Sequence, residues 1–191
     1  MLVKTVDIRQ ITDAEYAETE KFFMDTAEKV KNFLPEDRKR TLAGRYLLKK
    51  IIKEIYGREG FELSYNENGK PELDFCFFSI SHSGNYAVCA VAETPVGIDI
   101  EDTGRFKRRE KYMFFTDNET RYVNSRDSAR RFCIIWTRKE AYIKALGEPL
   151  AFAAKTDMVT PELSLKDSYG GYAFDTCDFG EYVITTAQKE P

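Results

Sequence analysis

The chain has 191 residues, of which 42% are apolar and 14% aromatic, enough to enclose a core in one domain or in two small lobes. Charged residues of both signs make up 32% and the formal net charge is −3, which argues against a disordered tail and against wholesale binding to nucleic acid. An anionic partner would therefore have to be met by a local basic cluster.

The chain opens on an alternating stretch with Leu2, Val3, Val6 and Ile8, which reads as a strand and lacks the charged and apolar regions of a signal peptide. No later run is long enough to predict a transmembrane helix. Thr12 or Asp13 caps a predicted helix to about Leu34, which Pro35 stops. A second helix carries Leu42, Tyr46, Leu47, Ile51, Ile52 and Ile55 at helical spacing, with Gly57 at its end. Strands are expected around Phe61 to Tyr65, Phe75 to Ile80, Tyr86 to Ala92 and Val96 to Ile100, with a turn at Asn66-Glu67-Asn68-Gly69.

The second half repeats this order. One or two short helices are expected over residues 105–124, a long helix from Asp127 or Ser128 to Leu146, and strands near 162–166, 171–177 and 181–187. The class is α+β, with a helical layer on a small, mainly antiparallel sheet in each of two similar lobes, residues 1–98 and 99–191. Cys76, Cys89, Cys133 and Cys177 have no Cys-x-x-Cys spacing and sit among apolar neighbours, as buried free thiols of a cytoplasmic protein would.

Several short motifs carry chemistry. In Val96-Gly97-Ile98-Asp99-Ile100-Glu101 the strand period puts Asp99 and Glu101 on one face, about 6–7 Å apart at Cα. Two oxygen ligands there suit a small hard cation such as Mg²⁺, or form an ordinary solvated strand end. In Trp136-Thr137-Arg138-Lys139-Glu140-Ala141-Tyr142-Ile143-Lys144, Lys139 falls inside the apolar stripe, which suggests a pocket. Glu140 and Lys144 are helical neighbours: either a simple ion pair, or a metal ligand or base beside a phosphate contact. Ser79-Ile80-Ser81-His82-Ser83-Gly84 follows an apolar strand and can form an anion-binding nest. His82 is the only histidine, so a zinc site is not expected. Basic residues Lys29, Lys31, Arg38, Lys39, Arg40, Arg45 and Lys70 precede that turn. A further run, Arg105-Phe106-Lys107-Arg108-Arg109 with Lys111, lies ahead of Met113, Phe114 and Phe115 and either docks an acidic protein or is a charged helix surface.

Taken in order, Gly69-Lys70-Pro71, Ser-His-Ser-Gly, Gly-Ile-Asp-Ile-Glu, Phe114-Phe115 with Glu119, and Trp-x-x-Lys-Glu-x-x-x-Lys resemble the 4′-phosphopantetheinyl transferase superfamily. The likeness is greatest to its larger, surfactin-synthetase-activating type and covers roughly residues 36–147. The segment around Arg40-Thr41-Leu42 is similar to that family's second helix. The resemblance implies two similar lobes with coenzyme A at their seam, Mg²⁺ held by Asp99, Glu101 and Glu140, and Lys144 on the coenzyme A pyrophosphate. It also implies Ser81 and His82 on coenzyme A phosphates, Arg40 and Thr41 at the phosphoadenosine end, Lys70 in the same groove, and Lys139 and Glu119 near the reacting centre. Glu140 is the candidate base, with a metal-bound water its rival. The implied partners are an apo acyl or peptidyl carrier protein and coenzyme A, without nucleic acid or membrane, and a monomer is expected. Where the family often has Gly-x-Gly-Leu, this chain reads Gly147-Glu148-Pro149-Leu150, a departure that bears on the geometry of that loop. The alternatives are a non-catalytic binder of coenzyme A or carrier proteins on the same fold, and a Mg²⁺-dependent nucleotide phosphohydrolase, which accounts for the carboxylates but not for the whole motif set.

Overall fold

A computed structural model describes residues 1–104 and 112–191. Its first half is an antiparallel sheet in the order β1 (Leu2–Asp7), β5 (Tyr86–Ala92), β4 (Phe77–Ser83), covered by helices α1 (Asp13–Phe22), α2 (Met24–Val30) and α3 (Pro35–Tyr56). The single helix expected from Thr12 to Leu34 is divided. Phe23, with φ −108° and ψ 64°, breaks it and turns its ring into the core, where it packs on Phe22 and Phe61. Thr12 and Glu15 form a reciprocal capping box at the start of α1. Pro35 opens α3 as well as ending what precedes it, because a first-turn residue needs no N–H.

The buried stripe of α3, with Leu42, Leu47, Leu48, Ile51 and Ile52, lies on β4 and β5. Each such side chain contributes about 1.5–3 kcal/mol by leaving water. A small hairpin, β2 (Ser64–Tyr65) with β3 (Pro71–Glu72), closes this half around the predicted Asn66 to Gly69 turn. Gly69 has φ +78° there, as a left-handed turn position requires.

The second sheet runs β6 (Val96–Asp102), β9 (Tyr182–Lys189), β8 (Tyr172–Phe179), β7 (Ser168–Tyr169), all antiparallel. Helix α5 (Ser128–Leu146) packs across β6 and β9, with α4 (Asp117–Ser125) beside it. The strand expected at 162–166 is absent: Leu165 makes only an isolated bridge to Val159. The basic run at 105–111 lies outside the described residues, and α4 takes up the later part of the predicted helical stretch. Cys76, Cys89 and Cys133 are buried free thiols, whereas Cys177 is exposed, because it falls on an outward position of β8.

A third apolar cluster joins the halves: Val88, Ala90 and Ala92 of β5 against Val96, Ile98 and Ile100 of β6, with Ile184 of β9. Among the described residues no helix is long and apolar enough to cross a membrane.

Candidate active site at the junction of the two sheets

The Ser79 to Ser83 run lies within β4, so it is strand rather than the turn expected of an anion nest; the turn comes after it, at Gly84 with φ +55°. The period of two then turns Ser79, Ser81 and Ser83 toward β6. Ser79 Oγ accepts the Ile98 N–H at 3.1 Å and Ser83 Oγ accepts the Asp102 N–H at 3.1 Å. Ser81 Oγ donates to Asp99 Oδ1 at 2.6 Å. The two sheets are thus joined edge to edge through a single row of hydroxyls.

Helix α5 reaches the same place because of Gly97. A Cβ on that residue would stand 1.8 Å from the Ala141 carbonyl oxygen, so only glycine lets the helix backbone rest on β6. Glu140 and Lys144 are thereby carried to Asp99. Lys144 Nζ is 2.6 Å from Asp99 Oδ1, 3.1 Å from Ser81 Oγ and 3.9 Å from Glu140 Oε2. The neighbours along the helix are therefore the looser pair, and the link from helix to strand is the tighter. Burial pushes the Lys144 pKa down, but Asp99, Glu140 and Glu101 outweigh it and hold it above the ordinary lysine value. Glu101 also accepts from Ser83 Oγ at 3.5 Å. Asp99 is only 4% exposed, and its second oxygen, Oδ2, has no hydrogen-bond partner. Among the described residues no three acidic, histidine or cysteine side chains are placed to hold a metal ion as they stand, and an ammonium occupies the position beside Asp99 and Glu140.

Beside this cluster opens a cleft of about 450 Å³ between α3, the β2–β3 turn, β4 and the end of α5. Thr41, Lys70, Ser81, His82 and Lys144 line it, as do Arg45, Asn68, Ser79 and Glu148. His82 is an exposed residue, yet desolvation by the surrounding protein, followed by the Lys144 and Arg40 cations, lowers its pKa below the usual histidine value. Lys70 is also held below the ordinary lysine value by burial; its ammonium donates to the Ala145 carbonyl at 3.4 Å.

Arg40 stands outside the cleft lining. Its guanidinium donates to the Gly84 carbonyl at 3.0 Å, and it pairs with Asp37 and Glu36 at 2.7 and 3.1 Å, tying α3 to the turn after His82. Lys29 lies over the Tyr65 ring, with its Nζ 3.6 Å from the centroid, and Lys31 pairs with Glu28.

Lys139 does not open onto a pocket. Its side chain is fully enclosed, 2.9 Å from an equally enclosed Glu119, and it donates to the Ala153 carbonyl at 3.0 Å and the Thr156 carbonyl at 2.7 Å. An ammonium inside an apolar stripe is here a sealed, fully hydrogen-bonded core group. The Gly147-Glu148-Pro149-Leu150 departure explains part of this. Gly147, with φ +77°, ends α5, and Pro149 caps the 3-10 turn Leu150–Lys155, which carries the Ala153 carbonyl to Lys139. The Gly147 carbonyl in turn accepts from Asn68 Nδ2 at 2.8 Å, pinning the β2–β3 turn to the end of α5.

Sequence reasoning named Arg45 only as one of seven basic residues ahead of the Ser-His-Ser motif, and it missed Ser79 and Ser83 as the join between sheets. The signals were present: Arg45 is one helical turn beyond Thr41, and the three serines recur with period two.

Residues 95–187 match the 4′-phosphopantetheinyl transferase superfamily, so the class to which the ordered motifs pointed is borne out by an independent comparison. The chain is similar to 4′-phosphopantetheinyl transferase gsp of Aneurinibacillus migulanus, 37% identical over 119 residues, covering 59% of this chain and 50% of the relative. It is 34% identical over 133 residues to 4′-phosphopantetheinyl transferase Sfp of Bacillus subtilis strain 168, covering 65% and 59%, so the resemblance to the Sfp type holds. It is 36% identical over 134 residues to 4′-phosphopantetheinyl transferase HetI of a Nostoc species, covering 62% and 56%. The chain thus spans between half and three-fifths of the length of these curated relatives.

Proposed function

We propose that this chain transfers the 4′-phosphopantetheine group of coenzyme A to a serine of an apo acyl or peptidyl carrier protein, releasing 3′,5′-ADP. The observation that carries this reading is the convergence of Asp99 on Lys144, a lining residue of the cleft, from separate elements, with Glu101 and Glu140 on the same strand and helix. The names of the relatives support it.

A divalent metal fits the residues present. The donors are all carboxylate oxygens, the choice of Mg²⁺, and a buried Asp99 oxygen lacks a hydrogen-bond partner. Asp99, Glu101 and Glu140 would hold it, and when bound it would neutralise charge on the diphosphate and on the departing group.

The remaining roles fall to side chains of the cleft. The carrier serine oxygen attacks the β-phosphorus; a new O–P bond forms as the bond to the bridging oxygen breaks, and 3′,5′-ADP leaves. Glu140, part-exposed and one helical turn before the cleft residue Lys144, takes the serine proton. Lys144 and His82 hold phosphate oxygens, while Thr41 and Lys70 position the remainder of coenzyme A and Arg40 steadies the adjoining turn. Residues 1–98 and 99–191 act as two lobes of one monomeric, cytoplasmic enzyme, with coenzyme A at their seam.

The test is the mass of an apo carrier protein incubated with coenzyme A, Mg²⁺ and the protein. A gain equal to one phosphopantetheine is expected, lost in Asp99→Ala and Glu140→Ala although both remain folded. Full activity in either variant would remove the metal assignment. Coenzyme A bound without any mass gain across acyl and peptidyl carriers would instead favour a non-catalytic binder.

A further inference from the structure

The helix that bears Glu140 and Lys144 is finished by residues from the other half of the molecule. An α-helix ends on carbonyls that have no partner within it. At the end of α5 the Ile143 carbonyl accepts the Gly147 and Glu148 N–H groups at 2.9 and 3.0 Å. The Gly147 carbonyl accepts from Asn68 Nδ2 at 2.8 Å and from Asn66 Nδ2 at 3.5 Å, and the Ala145 carbonyl from Lys70 Nζ at 3.4 Å. All three side-chain donors stand on the turn between β2 and β3, at least 75 residues away in the chain.

That turn is rigid in itself but weakly rooted. Asn66 Oδ1 accepts the Asn68 and Lys70 N–H groups at 3.0 and 2.9 Å, and the Asn66 carbonyl accepts the Gly69 N–H at 2.9 Å. Only two residue pairs join β2 to β3, and the hairpin belongs to neither larger sheet. A two-stranded ribbon of that size does not keep its place unaided. It is fastened at two points instead. In the first half Tyr65 donates to Asp25, and Lys29 lies over the Tyr65 ring. In the second half the fastening is Asn68 on Gly147, where a Cβ would stand 2.7 Å from Asn66 Nδ2 and 3.4 Å from Lys70 Cδ.

Resting on the transferase reading, we propose that Asn68 is a positioning residue: by capping Gly147 it holds the β2–β3 turn against the end of α5 and so sets Lys70 in the cleft wall for the binding of coenzyme A. Lys70 meets α5 through one long hydrogen bond, so its place depends on the turn that carries it. Lys144 and Glu140 do not depend on that turn, because the contact of α5 with Gly97 seats them. Loss of the Asn68 cap therefore weakens the hold on coenzyme A and leaves the reacting groups where they are.

The experiment compares the wild type, Asn68→Ala, Lys70→Met and the double variant. Calorimetry gives the affinity for coenzyme A, and the rate of carrier mass gain gives KM and kcat. Asn68→Ala is expected to weaken coenzyme A binding and raise KM by about two- to tenfold, the worth of one hydrogen bond, with kcat nearly unchanged. Because Asn68 acts through Lys70, the loss should be much smaller when Lys70 is already methionine. Equal losses in both backgrounds overturn the proposal, as does wild-type affinity in Asn68→Ala, or a fall in kcat with affinity unchanged. Asn68→Asp keeps the shape and removes the donor. It should lose affinity as Asn68→Ala does, and it decides the matter if the alanine variant fails to fold; wild-type affinity in Asn68→Asp overturns the role of the donor. The wild type separates the two levels. Coenzyme A bound with no effect of Asn68 sinks this inference only, and a wild type that neither binds coenzyme A nor modifies a carrier sinks the transferase reading with it.

Discussion

Gly97 and Ala141 meet backbone to backbone: a Cβ on the glycine would stand 1.8 Å from the alanine carbonyl oxygen and 2.7 Å from the amide nitrogen of Ala145. Neither group can yield as a flexible side chain would. Gly97→Ala is expected to lift α5 from β6 and carry Glu140 and Lys144 away from Asp99. Overpacking of this kind costs about 1–3 kcal/mol, and displacement by about an ångström can lower turnover on the order of a hundredfold. Thermal melting and the carrier mass assay measure the two effects; a Gly97→Ala protein of wild-type stability and activity would show that the contact is not limiting.

Glu119 and Lys139 are expected to matter for folding before chemistry. Burial pushes the Glu119 pKa up and the Lys139 pKa down, opposed in each case by the partner's charge. Removing either alone, as in Lys139→Met or Glu119→Leu, strands a buried charge and should cost about 3–5 kcal/mol. The double variant Glu119→Leu with Lys139→Met should lose less than the sum. Urea unfolding of the four proteins gives the coupling directly. A Lys139→Met protein of normal stability that has lost transfer would return this lysine to the reacting centre.

His82 is expected to act on binding. His82→Ala should raise the KM for coenzyme A and leave kcat largely intact; a fall in kcat at saturating coenzyme A with KM unchanged contradicts the role. The residue also predicts a pH dependence. Its folded pKa lies below the ordinary value of 6.5, so stability from the neutral imidazole is complete above 6.5 and is lost as pH falls through the lower folded value. The wild type should therefore lose more stability than His82→Asn on acidification below 6.5, as read from urea midpoints at matched pH values.

Ser79→Ala removes the acceptor of the Ile98 N–H, a buried backbone donor. An unsatisfied donor of that kind costs about 1–3 kcal/mol. Replacing an exposed serine such as Ser64 should cost far less, and equal melting temperatures for the two variants would show that the join between the sheets does not depend on this hydroxyl.

Much of this was legible in the sequence, and the failures have physical causes. Period-two runs located β4, β5 and β6 to within a few residues, and helical stripes located α3 and α5. Asp99 and Glu101 shared a face as expected, but only the tertiary fold could show that Lys144, thirteen helical residues beyond Arg131, would reach Asp99. The reading of Lys139 as a pocket residue failed because polar partners came from a segment ten or more residues downstream: the carbonyls that satisfy it belong to a turn with no periodic signal. The break at Phe23 was hidden because an aromatic residue there fits a helical stripe equally well.

The row of serines between β4 and β6 has a mechanical consequence. With three hydroxyls as spacers and an aliphatic layer behind them, the gauge of the groove is fixed, and one sheet can slide past the other only by losing several bonds together. Adjustment to a guest must then come from long side chains swinging at the rim while the frame itself keeps its shape.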